Sequence, residues 1–270
     1  VAEGSKIPFV AAATVNPKVT VDGNTGKVKN YTFRACFIDS FQGAVGAQFA
    51  LNSLKAKKVS ILTDSSSDYS KGLTQIFKDS FTKNGGQIVG EEAYLQKDQD
   101  FKPVLTKLKS QNADVLYIPG YYEDVGKIIK QARELGMNMP ILGSDAWDSP
   151  KLAEIGGPQA LNNTYFTNFY SIEDRNPVSN AFVEAYKKEY GEVPDSMAAM
   201  GYDAARLLVD AIKRANSTDA AKITKALAET KDFASVSGPM SLNDTHDAVR
   251  GVVIVEMKDG KQVYKETIKP

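Results

Sequence analysis

The chain has 270 residues, of which 42% are hydrophobic and 24% charged, values close to the average for soluble globular proteins. Lys and Arg together number 33, as do Asp and Glu, so no net charge attracts nucleic acid or an anionic membrane surface. The single cysteine, Cys36, excludes an intramolecular disulfide framework and a cysteine-rich metal site, and no apolar run has the length of a transmembrane helix.

The N-terminal part of the chain, up to Ile38, contains too few predicted elements to fold as a lobe by itself. Residues 2–6 resemble the end of a helix, and residues 7–13 form one predicted strand. The chain starts with Val1 rather than Met and shows no secretory signal, which a mature exported chain would have lost. We therefore expect this segment to find its partners elsewhere in the chain or in residues upstream of Val1.

From Asp39 to about Leu152 the sequence alternates between two patterns. Apolar runs rich in β-branched residues predict strands at residues 59–63, 87–94, 114–118 and 140–143. Amphipathic segments between them have apolar residues at helical spacing. Strand and helix alternating four times predict a parallel sheet with helices on both faces, the α/β class.

Several helix ends in this region are marked by capping residues. Asp39 with Gln42 matches a capping box, in which both side chains bond backbone N–H groups of the first turn. Asp100 precedes a predicted helix at residues 101–110, and Ser149 followed by Pro150 indicates another helix start.

After residue 152 the pattern changes twice. A strand at residues 165–170 leads into a mostly helical stretch, with helices predicted at 180–190, 196–215 and 218–230. The C-terminal end predicts an antiparallel hairpin, in which residues 252–257 and 262–268 flank a Lys258-Asp259-Gly260 turn.

Six short motifs, weak singly, occur in one colinear order along the whole chain. They are Ile7-Pro8-Phe9-Val10-Ala11-Ala12-Ala13-Thr14 with Asn16-Pro17, Arg34 with Asp39-Ser40-Phe41-Gln42-Gly43, Asp68-Tyr69-Ser70-Lys71-Gly72, Gly120-Tyr121-Tyr122, Leu142-Gly143-Ser144-Asp145, and Gly201-Tyr202-Asp203-Ala204. Together they resemble the type I periplasmic binding proteins, most closely the leucine/isoleucine/valine-binding branch.

This resemblance implies an architecture of two doubly wound α/β lobes joined by three crossovers. Residues 1–38 and 169–249 would form lobe 1, and residues 39–168 and 250–270 lobe 2. The crossovers would lie near Ile38, Asn168 and Arg250. In the family the ligand lies between the lobes at the carboxyl ends of parallel strands, where α/β sheets generally bind ligands.

Three residues of lobe 2 match ligand-contacting positions of the family. Asp145 is the implied partner of a ligand ammonium group, and Tyr69 and Tyr121 are implied contacts to the rest of the ligand. Helix capping is the alternative for Asp145, because it shortly precedes Pro150. The neighbouring Tyr122 has the alternative of packing under the next helix.

In lobe 1 the resemblance assigns Ala13 and Thr14 to the segment that offers backbone groups and a hydroxyl to an amino-acid head. The family's usual hydroxyl residue just before Asn-Pro is here Val15, so either Thr14 replaces it or one polar contact is lost. Met197 matches a position that contacts the ligand side chain, with ordinary helix core as the alternative.

The family carries about three further βα units, of roughly 30 residues each, ahead of the strand at residues 7–13. One of them holds a Ser-containing loop that grips the ligand carboxylate. We expect a corresponding segment upstream of Val1 in the parent protein.

The function that the resemblance implies is non-enzymatic. The protein would capture a small amino acid and deliver it to the membrane permease of an ABC importer. Branched-chain amino acids are the leading ligand class in view of Asp145, Tyr121 and Met197. We expect a monomer outside the cytoplasm, made with a signal peptide and periplasmic or lipid-anchored, with no cofactor, no metal, no catalytic residues and no nucleic-acid partner.

Three alternatives stay open at this point. The same fold could bind another small ligand, such as alanine, GABA or an amide, or serve as the sensor domain of a regulator or receptor. A nucleotide-dependent α/β enzyme is disfavoured, because no phosphate-binding loop and no Cys–His nucleophile arrangement are present. The only histidine, His246, lies in a polar turn and is expected to be solvated.

Overall fold

The computed structural model describes residues 1–173 and 176–269. Its α-helices are α1 Ala2–Ser5, α2 Asp39–Asn52, α3 Asp68–Lys83, α4 Lys102–Lys109, α5 Tyr122–Glu134, α6 Pro150–Gly156, α7 Pro177–Tyr190, α8 Ser196–Ala215 and α9 Ala220–Ala228. Its strands are β1 Phe9–Ala11, β2 Thr32–Arg34, β3 Lys58–Asp64, β4 Gln87–Tyr94, β5 Val115–Tyr117, β6 Ile141–Gly143, β7 Thr164–Asn168, β8 Phe233–Ser235, β9 Gly238–Leu242, β10 Ala248–Val249, β11 Val252–Lys258 and β12 Lys261–Ile268.

The chain divides into two compact units. Unit 1 contains Val1–Ile38 and Phe169–Val252, and unit 2 contains Asp39–Asn168 and Val253–Ile268.

Unit 2 is built on a seven-stranded sheet in the order β12-β11-β7-β6-β5-β3-β4. Strands β4, β3, β5, β6 and β7 run parallel to one another, and β11 joins β7 antiparallel. The predicted parallel sheet and the predicted C-terminal hairpin are therefore present. The chain first adds β4 on one side of β3 and then places β5 on its other side, so the winding direction reverses between β3 and β5.

Successive side chains of each strand point to opposite faces of this sheet. Apolar side chains on both faces pack against helices. On one face α3 contributes Phe77, whose ring stacks on Tyr117 of β5 with centroids 3.9 Å apart. On the other face Leu116 and Ile118 join a core cluster with residues of α4, α5 and α6. A fully buried Leu or Ile of this kind contributes roughly 1.5–3 kcal/mol, so this two-sided core holds the carboxyl edge of the sheet in place.

The local start and stop residues of unit 2 mostly act as predicted. Ser149 caps α6 by accepting the backbone N–H of Lys151, with Pro150 in the first turn. The Asp100 carboxylate accepts the N–H of Lys102 at the start of α4. The capping-box assignment of Gln42 is wrong, because its side chain is engaged elsewhere in unit 2, as described below.

Unit 1 contains a two-stranded parallel sheet, β1 and β2, and an antiparallel sheet in the order β10-β9-β8. Its core joins Phe33 of β2 to α8, α9, β9 and β10. The three-stranded sheet was missed by the sequence patterns, which predicted no element between residues 231 and 251. Near the N-terminus, Ile7 and Phe9 remain 61% and 51% exposed beside the short β1.

Within the described ranges of the chain, none of the helices combines the length and the apolar character needed to cross a bilayer.

Candidate functional site

Three of the predicted site residues lie together at the carboxyl edge of the unit 2 sheet. Tyr69 is in the first turn of α3 after β3, Tyr121 directly precedes α5 after β5, and Asp145 follows β6. The edge between β3 and β5 is the point where the winding direction reverses, which is where open α/β sheets bind ligands. The fold of unit 2 thus places these side chains at the expected position for ligand contact.

Asp145 is the centre of this group. Its carboxylate atom Oδ1 accepts hydrogen bonds from the Tyr69 hydroxyl and from Gln42 Nε2, both at 2.5 Å. The residue is only 7% exposed. Burial raises the pKa of the carboxyl above its usual range, and the two hydrogen bonds act in the opposite direction.

Both donors to Asp145 are neutral groups. Over residues 1–173 and 176–269, no Lys, Arg or His side chain forms an ion pair with its carboxylate. A buried carboxylate without a cation is costly, and a positively charged ligand group would compensate it. The site is therefore suited chemically to an ammonium ion.

The capping alternative for Asp145 is wrong. Helix α6 is capped by the side chain of Ser149, whereas Asp145 begins the short 3-10 helix Asp145–Trp147. Its carboxylate is turned to Tyr69 and Gln42 instead. The side chain therefore contacts α2 and α3 and does not cap α6.

Gln42 is the residue of this site that sequence reasoning missed. It is buried in α2, and its Nε2 donates both to Asp145 and, at 2.8 Å, to Thr167 Oγ1 at the end of β7. The amide thereby ties the Asp145 carboxylate to two elements of unit 2. Its place in the Asp39-Ser40-Phe41-Gln42-Gly43 motif was the one available indication.

The two tyrosines stand side by side. The rings of Tyr69 and Tyr121 are 5.5 Å apart between centroids, at 37° to each other. The pKa of the Tyr69 hydroxyl is raised well above its usual value, first by burial and then by the Asp145 charge, so it remains a hydrogen-bond donor. Tyr121 is 38% exposed, whereas Tyr122 packs against the core, as its alternative proposed.

The loop that carries Asp145 is held by a close contact between glycine and tryptophan. Trp147 is fully buried, and a Cβ atom on Gly143 would overlap its indole ring. Only glycine at the end of β6 leaves room for the indole. Trp147 is therefore part of the core that supports Asp145.

The remaining predicted residues belong to unit 1. Ala13 is half-buried and Thr14 is exposed, whereas Val15 is buried at 8% exposure. The Thr14 side chain is thus the accessible one at the departure from the family pattern. Met197 lies in the first turn of α8 and is 44% exposed, which excludes its alternative as helix core.

Among the described residues, no three His, Cys, Asp or Glu side chains are grouped so that they could hold a metal ion. His246 lies in the predicted turn but is not simply solvated, because it is half-buried and its ring stacks on Phe33 with centroids 4.0 Å apart. The His246 ring therefore has a packing role against β2.

Residues 1–262 match the family model described as "Periplasmic binding protein". A curated relative, the Leu/Ile/Val-binding protein homolog 3 of Brucella melitensis, is 32% identical over 255 residues, covering 93% of this chain and 68% of the relative. The chain thus spans about two thirds of that protein's length.

Two solved structures are also similar. The leucine binding protein LivK of Thermotoga maritima is 41% identical with a TM-score of 0.90, covering 100% of this chain and 75% of that one. The branched-chain amino acid transporter substrate binding protein LivJ of Streptococcus pneumoniae, in complex with isoleucine, is 33% identical with a TM-score of 0.87, covering 100% and 74%.

Proposed function

The chain belongs to the periplasmic binding protein family, and on that premise we propose that the protein captures a branched-chain amino acid for an ABC importer. Members of this family bind solutes for transport and are not an enzyme class, and they act outside the cytoplasm. The finer parts of the proposal are the ligand, a membrane permease as the partner that receives it, and an extracytoplasmic chain that works as a monomer.

The observation that carries the proposal is the unneutralised carboxylate of Asp145. It is buried, it is oriented by Tyr69 and Gln42, and burial raises its pKa. An α-ammonium group would supply both the missing charge and hydrogen-bond donors to the carboxylate. The names of the similar proteins, which refer to leucine, isoleucine and valine, favour an amino acid as the carrier of that ammonium group.

The other site residues have proposed roles in the same binding event. Tyr69 would hold the Asp145 carboxylate, and the exposed ring of Tyr121 would contact the ligand. Ala13 and Thr14 are proposed to offer backbone groups and a hydroxyl to the amino-acid head, and Met197 an apolar contact to the ligand side chain. Exposure of Thr14 and Met197 supports these roles.

Isothermal titration of the full-length protein tests this proposal. Leucine, isoleucine, valine, alanine and GABA would be titrated, together with 4-methylpentanoate, which is leucine without its ammonium group. We expect the branched-chain amino acids to bind more tightly than alanine and GABA, and 4-methylpentanoate to bind at least about a hundredfold more weakly than leucine.

Each arm of the titration has its own consequence. Tight binding of alanine or GABA alone would replace the branched-chain ligand by another small amino acid. Binding of 4-methylpentanoate as tight as that of leucine would contradict the role of Asp145. Binding of none of the five amino acids would contradict the proposed function itself.

A further inference from the structure

A buried arginine of unit 1 organises the loop that contains Thr14. Arg34 is the last residue of β2 and has no solvent exposure. Its guanidinium donates to the backbone carbonyls of Thr14 and Asn16, each at 2.8 Å, and more distantly to that of Pro17 at 3.4 Å. One side chain thus holds the carbonyl groups on either side of Val15.

The guanidinium is itself held from the opposite direction. Its Nε lies 2.6 Å from Oδ1 of Asp247, and the hydroxyl of Thr20 accepts from the guanidinium at 3.1 Å and donates to the same carboxylate oxygen at 2.8 Å. The other carboxylate oxygen accepts from the Thr245 hydroxyl. These contacts leave Arg34 little freedom to rotate.

The turn around Asp247 is joined to β2 by the backbone as well. The N–H of Arg34 donates to the carbonyl of His246 at 3.1 Å, and the His246 ring stacks on Phe33. The charged pair therefore connects the strand, the turn at residues 243–247 and the loop at residues 14–20 within unit 1. Only a planar guanidinium presents several donors in a fixed fork, so lysine could not reproduce this set of contacts.

This arrangement determines which side chain of the loop is accessible. With the carbonyls of Thr14 and Asn16 fixed, Val15 is buried and Thr14 is exposed. A buried ion pair is by itself weak support for stability, since apolar residues of similar volume often serve as well. The contacts of Arg34 with the carbonyls of Thr14 and Asn16 therefore point to a role in holding this loop.

We propose that Arg34, oriented by Asp247 and Thr20, is a positioning residue that presents residues 13–16 to the amino-acid head of the ligand. The inference rests on the proposed function, because that function assigns Ala13 and Thr14 to the ligand. Arg34 itself acts through the loop and does not touch the ligand.

The test compares Arg34→Lys with Arg133→Lys in the full-length protein. Arg133 of α5 is a matched control, because its guanidinium also donates to backbone carbonyls, among them those of Met139 at 2.8 Å and Asn162 at 3.1 Å, yet it lies in the other unit. Leucine and valine are titrated at a temperature well below the Tm of each variant.

We expect Arg34→Lys to weaken the binding of leucine and of valine by the same factor. That factor should be about tenfold, which corresponds to one lost polar contact. The factors should agree because both ligands share the head that residues 13–16 contact. Arg133→Lys should lower the Tm and leave both Kd values within about twofold of the unsubstituted protein. Hydrogen exchange at the amides of Lys18 and Val19, which bond to Asn16, should accelerate in Arg34→Lys alone.

Thr20→Val provides a milder second variant, should Arg34→Lys not fold. It removes the hydroxyl that links the guanidinium to Asp247 and keeps the side-chain shape. We expect the affinity for leucine and for valine to fall about threefold. Unchanged Kd values in the folded variants, with leucine bound normally by the unsubstituted protein, would overturn the positioning role alone. Absence of amino-acid binding by the unsubstituted protein would overturn the proposed function and this inference together.

Discussion

Two buried carboxylates, one in each unit, are stabilised in different ways. In unit 1 the carboxylate of Asp247 faces the guanidinium of Arg34 at 2.6 Å. In unit 2 the side chains that donate to the carboxylate of Asp145, among the residues that the structure describes, are the neutral ones of Tyr69 and Gln42. Both residues are similarly inaccessible, at 5% and 7% exposure, so burial alone does not distinguish them.

This difference in partners indicates different roles for the Asp247 and Asp145 charges. The charge of Asp247 is already matched within the folded chain, and its partner in turn organises backbone. The charge of Asp145 is oriented but not neutralised by any described residue, and its raised pKa is the physical sign of that imbalance. Groups with a perturbed pKa cluster at functional sites, which favours the proposed role of Asp145 in binding a cationic ligand group.

The largest effect is expected for Asp145→Asn. The amide keeps the shape and an acceptor oxygen but removes the charge, so leucine should bind about a hundredfold more weakly or worse. The neighbouring Asp148→Asn is the control and should leave the Kd unchanged. Calorimetric titration of both variants checks this, and equal affinities would remove Asp145 from the proposed site.

The same variant should not lose stability in the ligand-free state. Because the pKa of Asp145 is raised on folding, its stabilising contribution is present at low pH and lost as the pH rises through that pKa. Asparagine resembles the protonated form, so thermal unfolding at neutral pH should occur at an equal or higher Tm. A clear decrease in Tm would contradict the comparison.

Asp247→Asn, in contrast to Asp145→Asn, should lower the stability of the folded protein. Removing this charge leaves the Arg34 guanidinium buried without its partner, which costs about 3–5 kcal/mol for pairs of this kind. Urea unfolding should show a reduced free energy of unfolding with an unchanged slope. If Asp247→Asn were as stable as the unsubstituted protein, the two carboxylates would not differ in the way described.

A smaller effect is expected for Gln42→Leu. The substitution removes a hydrogen bond to a charged group, worth about 1.5–3 kcal/mol. Leucine should therefore bind at least about tenfold more weakly. Gln75→Leu on the exposed face of α3 serves as the control, since Gln75 bonds only to the nearby Asp79 among the described residues. Titration of the two variants separates the orienting role of Gln42 from a general effect of losing a glutamine.

The smallest effect concerns pH. An ammonium ligand requires ionised Asp145, so affinity should fall by up to about tenfold per unit as the pH decreases below the carboxyl pKa. Since burial raises that pKa, the decline should begin at higher pH than for an ordinary aspartate. Binding near this pKa should release a proton, measurable by titration in buffers of different ionisation enthalpy, and Asp145→Asn should abolish the release.

Much of the fold follows from local patterns. The predicted strand at residues 87–94 and helix at residues 196–215 have the bounds of β4 and α8. These elements combine continuous periodicity with defined ends, such as Asp195, which caps α8 through the N–H of Ala198. The small sheet of β8, β9 and β10 was missed because its strands are short and contain glycine, proline and serine, without a repeating apolar pattern.

The site shows the same limit at longer range. Asp145, Tyr69 and Tyr121 could be predicted because each follows a strand and matches a family motif. Gln42 could not, because its spacing from Asp39 fits a capping box equally well, and its contact with Asp145 spans 103 residues of chain. Arg34 was visible as part of a motif, but its contacts with Thr14 and Asp247 depend on tertiary packing.

The contact between Trp147 and Gly143 has a practical consequence. Trp147 is the only tryptophan of the 270 residues, and it lies two positions after Asp145 in the same short helical turn. Its indole is shielded from solvent and belongs to the support of the Asp145 loop. We therefore expect the fluorescence of this one side chain to report on the packing of the loop that carries Asp145.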